Sequence, residues 1–179
     1  VTKIIENEES RNHTENMLLK NSQAIKIENK KKKIINIYGK KYLEPIDISI
    51  PGDPSSAAFF TALTILNERS SIKIRNIGLN NTRTGFYKLL KKHNAKIKFE
   101  NMKKINNEIR GDILVKNCKI KPIKASKNYY VSSTDEYPLL FVIAALTKGI
   151  SVFKGIEDLA NKESNRIIEM QKVLKQINI

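Results

Sequence analysis

Residues 71–99, SIKIRNIGLNNTRTGFYKLLKKHNAKIKF, decide the fold. Ile72-Lys73-Ile74 alternates apolar and polar, the period of a half-buried strand; Asn80-Asn81-Thr82-Arg83-Thr84-Gly85 is a polar loop. An amphipathic helix around Tyr87, Leu89 and Leu90 follows, then a second alternating run, Ala95-Lys96-Ile97-Lys98. The order is strand, polar loop, helix, strand. Two other segments read the same way. In residues 1–27, Lys3-Ile4-Ile5 leads through Ser10-Arg11-Asn12-His13-Thr14 to a helix carrying Met17, Leu18 and Leu19, and then to Ala24-Ile25-Lys26-Ile27. In residues 151–179, Val152-Phe153-Lys154 leads through a longer loop containing Lys162–Arg166 to Ile167, Ile168, Met170, Val173, Leu174 and Ile177, apolar at helical spacing.

Working outward, the second and third segments are each preceded by an apolar helix, Ser55 through Leu66 and Tyr137 through Leu146. A supersecondary unit recurring every 70 to 80 residues or so is the mark of a repeat architecture. The fold class is therefore α/β, built from βαβαββ-like units. Strand pairs lie between the units, for example residues 95–101 and 112–116, joined by the polar stretch 103–111. Ile50-Pro51-Gly52-Asp53-Pro54 marks a boundary or a tight turn, with Asp53 or Ser55 as helix cap and Pro54 in the first turn. If the units share one axis, their three polar loops point their helix N-termini at a common anionic ligand.

Composition excludes several classes. The chain has 179 residues and no uninterrupted apolar stretch of membrane length, so no membrane partner is expected. Its beginning, Val1, lacks the basic-then-apolar order of a signal peptide, which points to a soluble, cytoplasmic protein whose true start lies upstream. Cys118 is the only cysteine, so there is no internal disulfide and no cysteine-built zinc cage. The net charge of +15 raises nucleic acid as a partner. The lysines, however, are spread along the chain, and the densest run, Lys30 to Lys33, has no interleaved aromatics on which bases could stack. No nucleic-acid partner is expected; a positive field drawing in small anions is.

The chemistry concentrates in two stretches, Thr134-Asp135-Glu136-Tyr137-Pro138 and Lys162-Glu163-Ser164-Asn165-Arg166. Each reads as a charged helix start, the second with Ser164 as N-cap. A Lys and an Arg beside free helix N–H groups make a seat for phosphate or carboxylate, and two acids beside them can move protons. Taken alone, such residues are also the ordinary capping chemistry of helix ends.

Taken together, Pro51–Phe59 (PGDPSSAAF), Asn81-Thr82-Arg83-Thr84-Gly85, Asp135-Glu136-Tyr137-Pro138 and Lys162–Arg166 resemble 5-enolpyruvylshikimate-3-phosphate synthases, particularly the bacterial glyphosate-tolerant class. Ser10-Arg11-Asn12-His13-Thr14-Glu15 is similar to that family's Ser-Arg-Asp-His-Thr-Glu segment. The resemblance implies the enolpyruvyl transferase fold, an inside-out α/β barrel of two domains. Residues 1–48 would then close the first domain and residues 49–179 would form most of the second, truncated. Family members are more than twice this length, so the chain reads as an internal fragment, inactive alone and monomeric when complete.

The implied reaction transfers the enolpyruvyl group of phosphoenolpyruvate to the 5-hydroxyl of shikimate 3-phosphate, with release of phosphate and no cofactor or metal. Carried over by position, Asp135 is the base and a shikimate 3-phosphate contact, and Glu163 is the acid. Lys162 and Ser10 bind shikimate 3-phosphate, and Arg166 binds phosphoenolpyruvate. Asn12 and Asn165 stand where the family usually has Asp. Two alternatives remain. One is the sister transferase acting on UDP-N-acetylglucosamine, which needs a catalytic Cys in a glycine-rich loop not seen here. The other is a basic scaffold whose motifs merely cap helices, in which Lys162→Arg would be silent.

Overall fold

A computed structural model describes all residues except Glu8 and Lys30. The first unit is β1 (Thr2–Glu6), α1 (His13–Leu18), β2 (Ile25–Asn29) and β3 (Lys33–Ile37). Its strands form an antiparallel sheet in the order β1-β3-β2. After an irregular stretch, α2 (Pro54–Leu66) begins where Asp53 accepts the Ser56 N–H at 2.8 Å and Pro54 fills the first turn. A carboxylate cap and an N1 proline satisfy the helix start locally, as that dipeptide led us to expect.

The second unit is β4 (Ser71–Gly78), α3 (Gly85–Lys92), β5 (Lys96–Ile105) and β6 (Glu108–Lys116), with the sheet order β4-β6-β5. The late strand lies in the middle in both sheets, so the repeat read from the sequence is a repeat of topology. Gly52 pairs in parallel with Ile77, so 52, α2 and β4 form a short parallel crossover. The third unit repeats it: β7 (Lys124–Ala125), the short α4 (Tyr130–Ser133) and α5 (Tyr137–Ala145) lead to β8 (Val152–Phe153), parallel to β7. It ends in α6 (Arg166–Gln176), and among the described residues no strand follows, unlike the closing strand expected of residues 151–179.

The polar stretch 103–111 is not a loop. β5 runs to Ile105 and β6 starts at Glu108, leaving Asn106-Asn107 as a two-residue turn, both with positive φ. Asparagine tolerates that region, and two such residues match the strand twist of a tight hairpin. The lysines read as loop occupy the exposed end of a strand pair.

The core lies where α2, α3 and α5 meet the second sheet. Phe86, Leu89 and Leu90 of α3 pack with Ile113 and Val115 of β6, Ile65 of α2 and Leu140 of α5, all essentially inaccessible. The Tyr87 hydroxyl donates to the Pro54 carbonyl at 2.6 Å, so the start of α2 is fastened to α3. The three polar loops meet beside this core: Asn80 bonds Asn12, and Arg11 and Arg166 both reach Asp135.

Candidate functional site

Asp135 is the hub. Arg11, from the first polar loop, donates to Asp135 Oδ2 at 2.5 Å; Arg166, at the start of α6, lies 3.8 Å from Oδ1. The second Arg166 nitrogen donates to Glu163 at 3.1 Å. Thus Asp135, Glu163 and Arg166 are brought together as the sequence placed them, while Arg11, 124 positions from Asp135, was quoted there without a role. Nothing in local spacing links residues so distant; only its adjacency to Ser10 could have marked it.

Lys162 stands one step outside. It pairs with Asp158 at 2.7 Å, and Asp158 also accepts from the Tyr130 hydroxyl at 2.6 Å. Both bonds hold the Asp158 carboxyl below the usual range, while burial together with that neighbouring carboxylate raises the Tyr130 phenol. Ser10 is turned elsewhere, with its N–H and hydroxyl both donating to Glu6. Glu6 pairs in turn with Lys33, which also donates to Glu15. Lys33 therefore belongs to an intramolecular ion-pair group, and Lys30 of that basic run is outside the described residues.

The local devices differ from expectation in two places. Asn165, not Ser164, caps α6, accepting the Ile168 N–H at 3.1 Å. Asparagine is as good a cap as serine, and after the 3-10 turn Glu157–Asn161 the helix starts one residue later than a Ser164 cap would place it. The departure at Asn165 thus carries the loop geometry. Secondly, Thr134-Asp135-Glu136 is a 3-10 turn that continues directly from α4 into α5, so it offers no free helix start. Anion attraction here comes from the guanidinium groups.

The glutamates of the two charged motifs differ sharply. Glu163 is 86 % exposed, and its own backbone N–H and then Arg166 hold its carboxyl below the usual range. Glu136 is only 3 % exposed, and burial, reinforced by Asp135, raises its carboxyl against the opposing Ser55 hydroxyl and Arg83. The Ser55 hydroxyl donates to Glu136 and accepts from Arg83 at 2.7 Å; Arg83 also bonds Asp53 at 2.9 Å. This chain of bonds fixes the turn bearing Asp135 from below, and it explains why Arg83 and Ser55 sit in the quoted motifs.

A raised folded-state value means that the stability contributed by Glu136 is full below the ordinary carboxyl value of about 4.5 and is lost as pH rises from there through the raised folded-state value. Glu136→Gln keeps an acceptor for Ser55 and removes the titration. Its unfolding free energy, followed by urea denaturation from pH 4 to 8, should gain on the wild type as pH rises. Parallel curves would refute this.

A cavity of about 690 Å³ adjoins the polar loops, lined by Glu9, Asn81, Gly85, Lys88, Lys127 and Tyr130 among others. Its size suits a small polar ligand. Among the described residues no helix is long and apolar enough to cross a membrane.

The repeated units and the carboxylates set among cations define an α/β protein of the enolpyruvyl transferase fold. An EPSP synthase from Acinetobacter baumannii superposes with a TM-score of 0.85 at 34 % identity, covering 97 % of this chain and 39 % of that one. A family model described as EPSP synthase (3-phosphoshikimate 1-carboxyvinyltransferase) matches residues 1–179, and the chain belongs to that family. A 3-phosphoshikimate 1-carboxyvinyltransferase of Zymomonas mobilis is 36 % identical over 180 residues, 100 % of this chain and 40 % of the relative. One from Aquifex aeolicus is 36 % identical over 181 residues, 100 % of this chain and 42 % of the relative. The chain thus spans about two fifths of the curated relatives it matches.

Proposed function

We propose that these residues form part of an enzyme that transfers the enolpyruvyl group of phosphoenolpyruvate to the 5-hydroxyl of shikimate 3-phosphate. The observation that carries the reading is the convergence of Arg11, Asp135, Arg166 and Glu163 from three separate loops. In this reading Asp135 takes the hydroxyl proton and the oxygen attacks C2 of phosphoenolpyruvate, whose C3 receives a proton from Glu163. The tetrahedral adduct then loses phosphate, and a proton leaves C3 as the double bond re-forms. Each group works by proton transfer or by holding charge.

Arg166, a rigid fork, suits the carboxylate or phosphate of phosphoenolpyruvate. When that anion draws Arg166 away, Glu163 loses its cation and faces negative charge; both changes raise its carboxyl toward a usable acid. Lys162 would exchange Asp158 for the phosphate of shikimate 3-phosphate, and Ser10 would exchange Glu6 for the same group. The exposed Phe59, Phe60 and Leu63 of α2 support a role as part of a larger, two-domain body, which we place in the cytoplasm as a monomer.

The test is phosphate release from phosphoenolpyruvate by the native polypeptide containing these residues, in the presence of shikimate 3-phosphate. Release that requires both substrates is the expected outcome; release unaffected by omitting shikimate 3-phosphate would overturn the reading. The 179 residues alone are expected to be inactive.

A further inference from the structure

Glu108 opens β6 directly after the Asn106-Asn107 turn and pairs there with Ile105, yet the hydrogen bonds of its side chain leave the hairpin. Its Oε1 lies 2.8 Å from His13 Nδ1 and accepts from Asn16 Nδ2 at 3.0 Å. Its Oε2 accepts from Asn80 Nδ2 at 3.0 Å. A carboxylate only accepts, so the His13 ring presents Nδ1–H to it. Asn80 also donates to Asn12 Oδ1 at 2.7 Å, and with its own oxygen it accepts from Thr82 N and Oγ1, both at 2.9 Å. One carboxylate, 19 % exposed, thereby ties the first polar loop to the second.

Apart from this carboxylate the first loop is held by other polar contacts, from Ser10 to Glu6, Arg11 to Asp135 and Asn80 to Asn12, with little apolar burial beneath them. α1 is six residues long, the side chain of its N-cap Asn12 makes no capping bond, and its only buried residue is Glu15. Arg11 itself is 43 % exposed on its side chain. A short, unburied segment keeps one conformation only where polar contacts determine it, because local opening is cheap where few apolar contacts oppose it.

We infer that Glu108 is a positioning residue: through His13, Asn16 and Asn80 it holds residues 9–13 in place, and so sets Arg11 against Asp135. It touches neither Asp135 nor Arg11. Its consequence for turnover rests on the function proposed above, but its consequence for the loop does not.

Hydrogen exchange and steady-state kinetics on the native polypeptide and its Glu108→Ala and Glu108→Gln variants test this. In Glu108→Ala, amide exchange of residues 9–16 should rise about tenfold or more, with α2 and α3 unchanged. Glu108→Gln keeps an oxygen for His13 and Asn16 but turns an N–H₂ toward the Asn80 amide, so it should restore protection only in part. The kinetic counterpart is a KM for shikimate 3-phosphate raised roughly tenfold in Glu108→Ala with kcat within about threefold. Unchanged exchange in residues 9–16, or a rise equally large in α2 and α3, would overturn the assignment. A wild type that exchanges as expected but turns nothing over would sink the proposed function and leave the exchange data to decide the loop. A raised KM without loop exchange would also count against the pin.

Discussion

Asp135→Asn in the native polypeptide should lower kcat by about 10²–10⁴-fold, the usual range for losing a positioned proton acceptor. The amide is nearly isosteric and can still accept from Arg11, so the loss measures proton transfer and not shape. Stability should barely move. The Asp135 side chain is 41 % exposed, and exposed ion pairs such as its contacts with Arg11 and Arg166 contribute at most about 1 kcal/mol. Steady-state rates and thermal unfolding, run on the same preparation, separate the two quantities. A variant within tenfold of wild-type kcat would remove Asp135 from proton transfer. A collapse in stability matching the rate loss would make it a structural residue.

The parts of this arrangement that the sequence reveals are those decided within a few residues. Asp53-Pro54 announces the start of α2 because capping and an N1 proline are local devices, and the structure uses both. The βαββ repeat of the first two units is legible because alternation and helical spacing survive in both. Where two local choices are nearly equal in free energy, tertiary geometry chooses, as with Asn165 over Ser164 as the cap of α6. The hairpin turn was hidden because lysines on an exposed strand end resemble loop composition. The burial of Glu136 and the meeting of Arg11 with Asp135 depend on contacts across much of the chain, and no short pattern encodes them.

That dependence gives Gly85 its weight. It opens α3, and an added Cβ would press on the Ser132 hydroxyl and stand 2.9 Å from the Ser132 carbonyl carbon. The backbone conformation is ordinary, so the constraint is the close approach of two helices. Gly85→Ala lowers the entropy of the unfolded chain, an effect of about 0.4–1 kcal/mol in favour of folding. Against it, backbone must move in a packed region, where overpacking costs about 1–3 kcal/mol, and the clash should win. The motion falls on α4, which runs without a break into the turn carrying Asp135. Gly85→Ala is therefore expected to destabilise the native polypeptide by about 1–2 kcal/mol in urea and also to lower kcat/KM, whereas Gly39→Ala, with nothing within 4 Å of its Cβ, should do neither. A Gly85→Ala variant as stable and as active as the wild type would show that α3 and α4 can separate freely. The polar turn above them would then have to be positioned by the Ser55–Glu136 and Arg83 bonds alone.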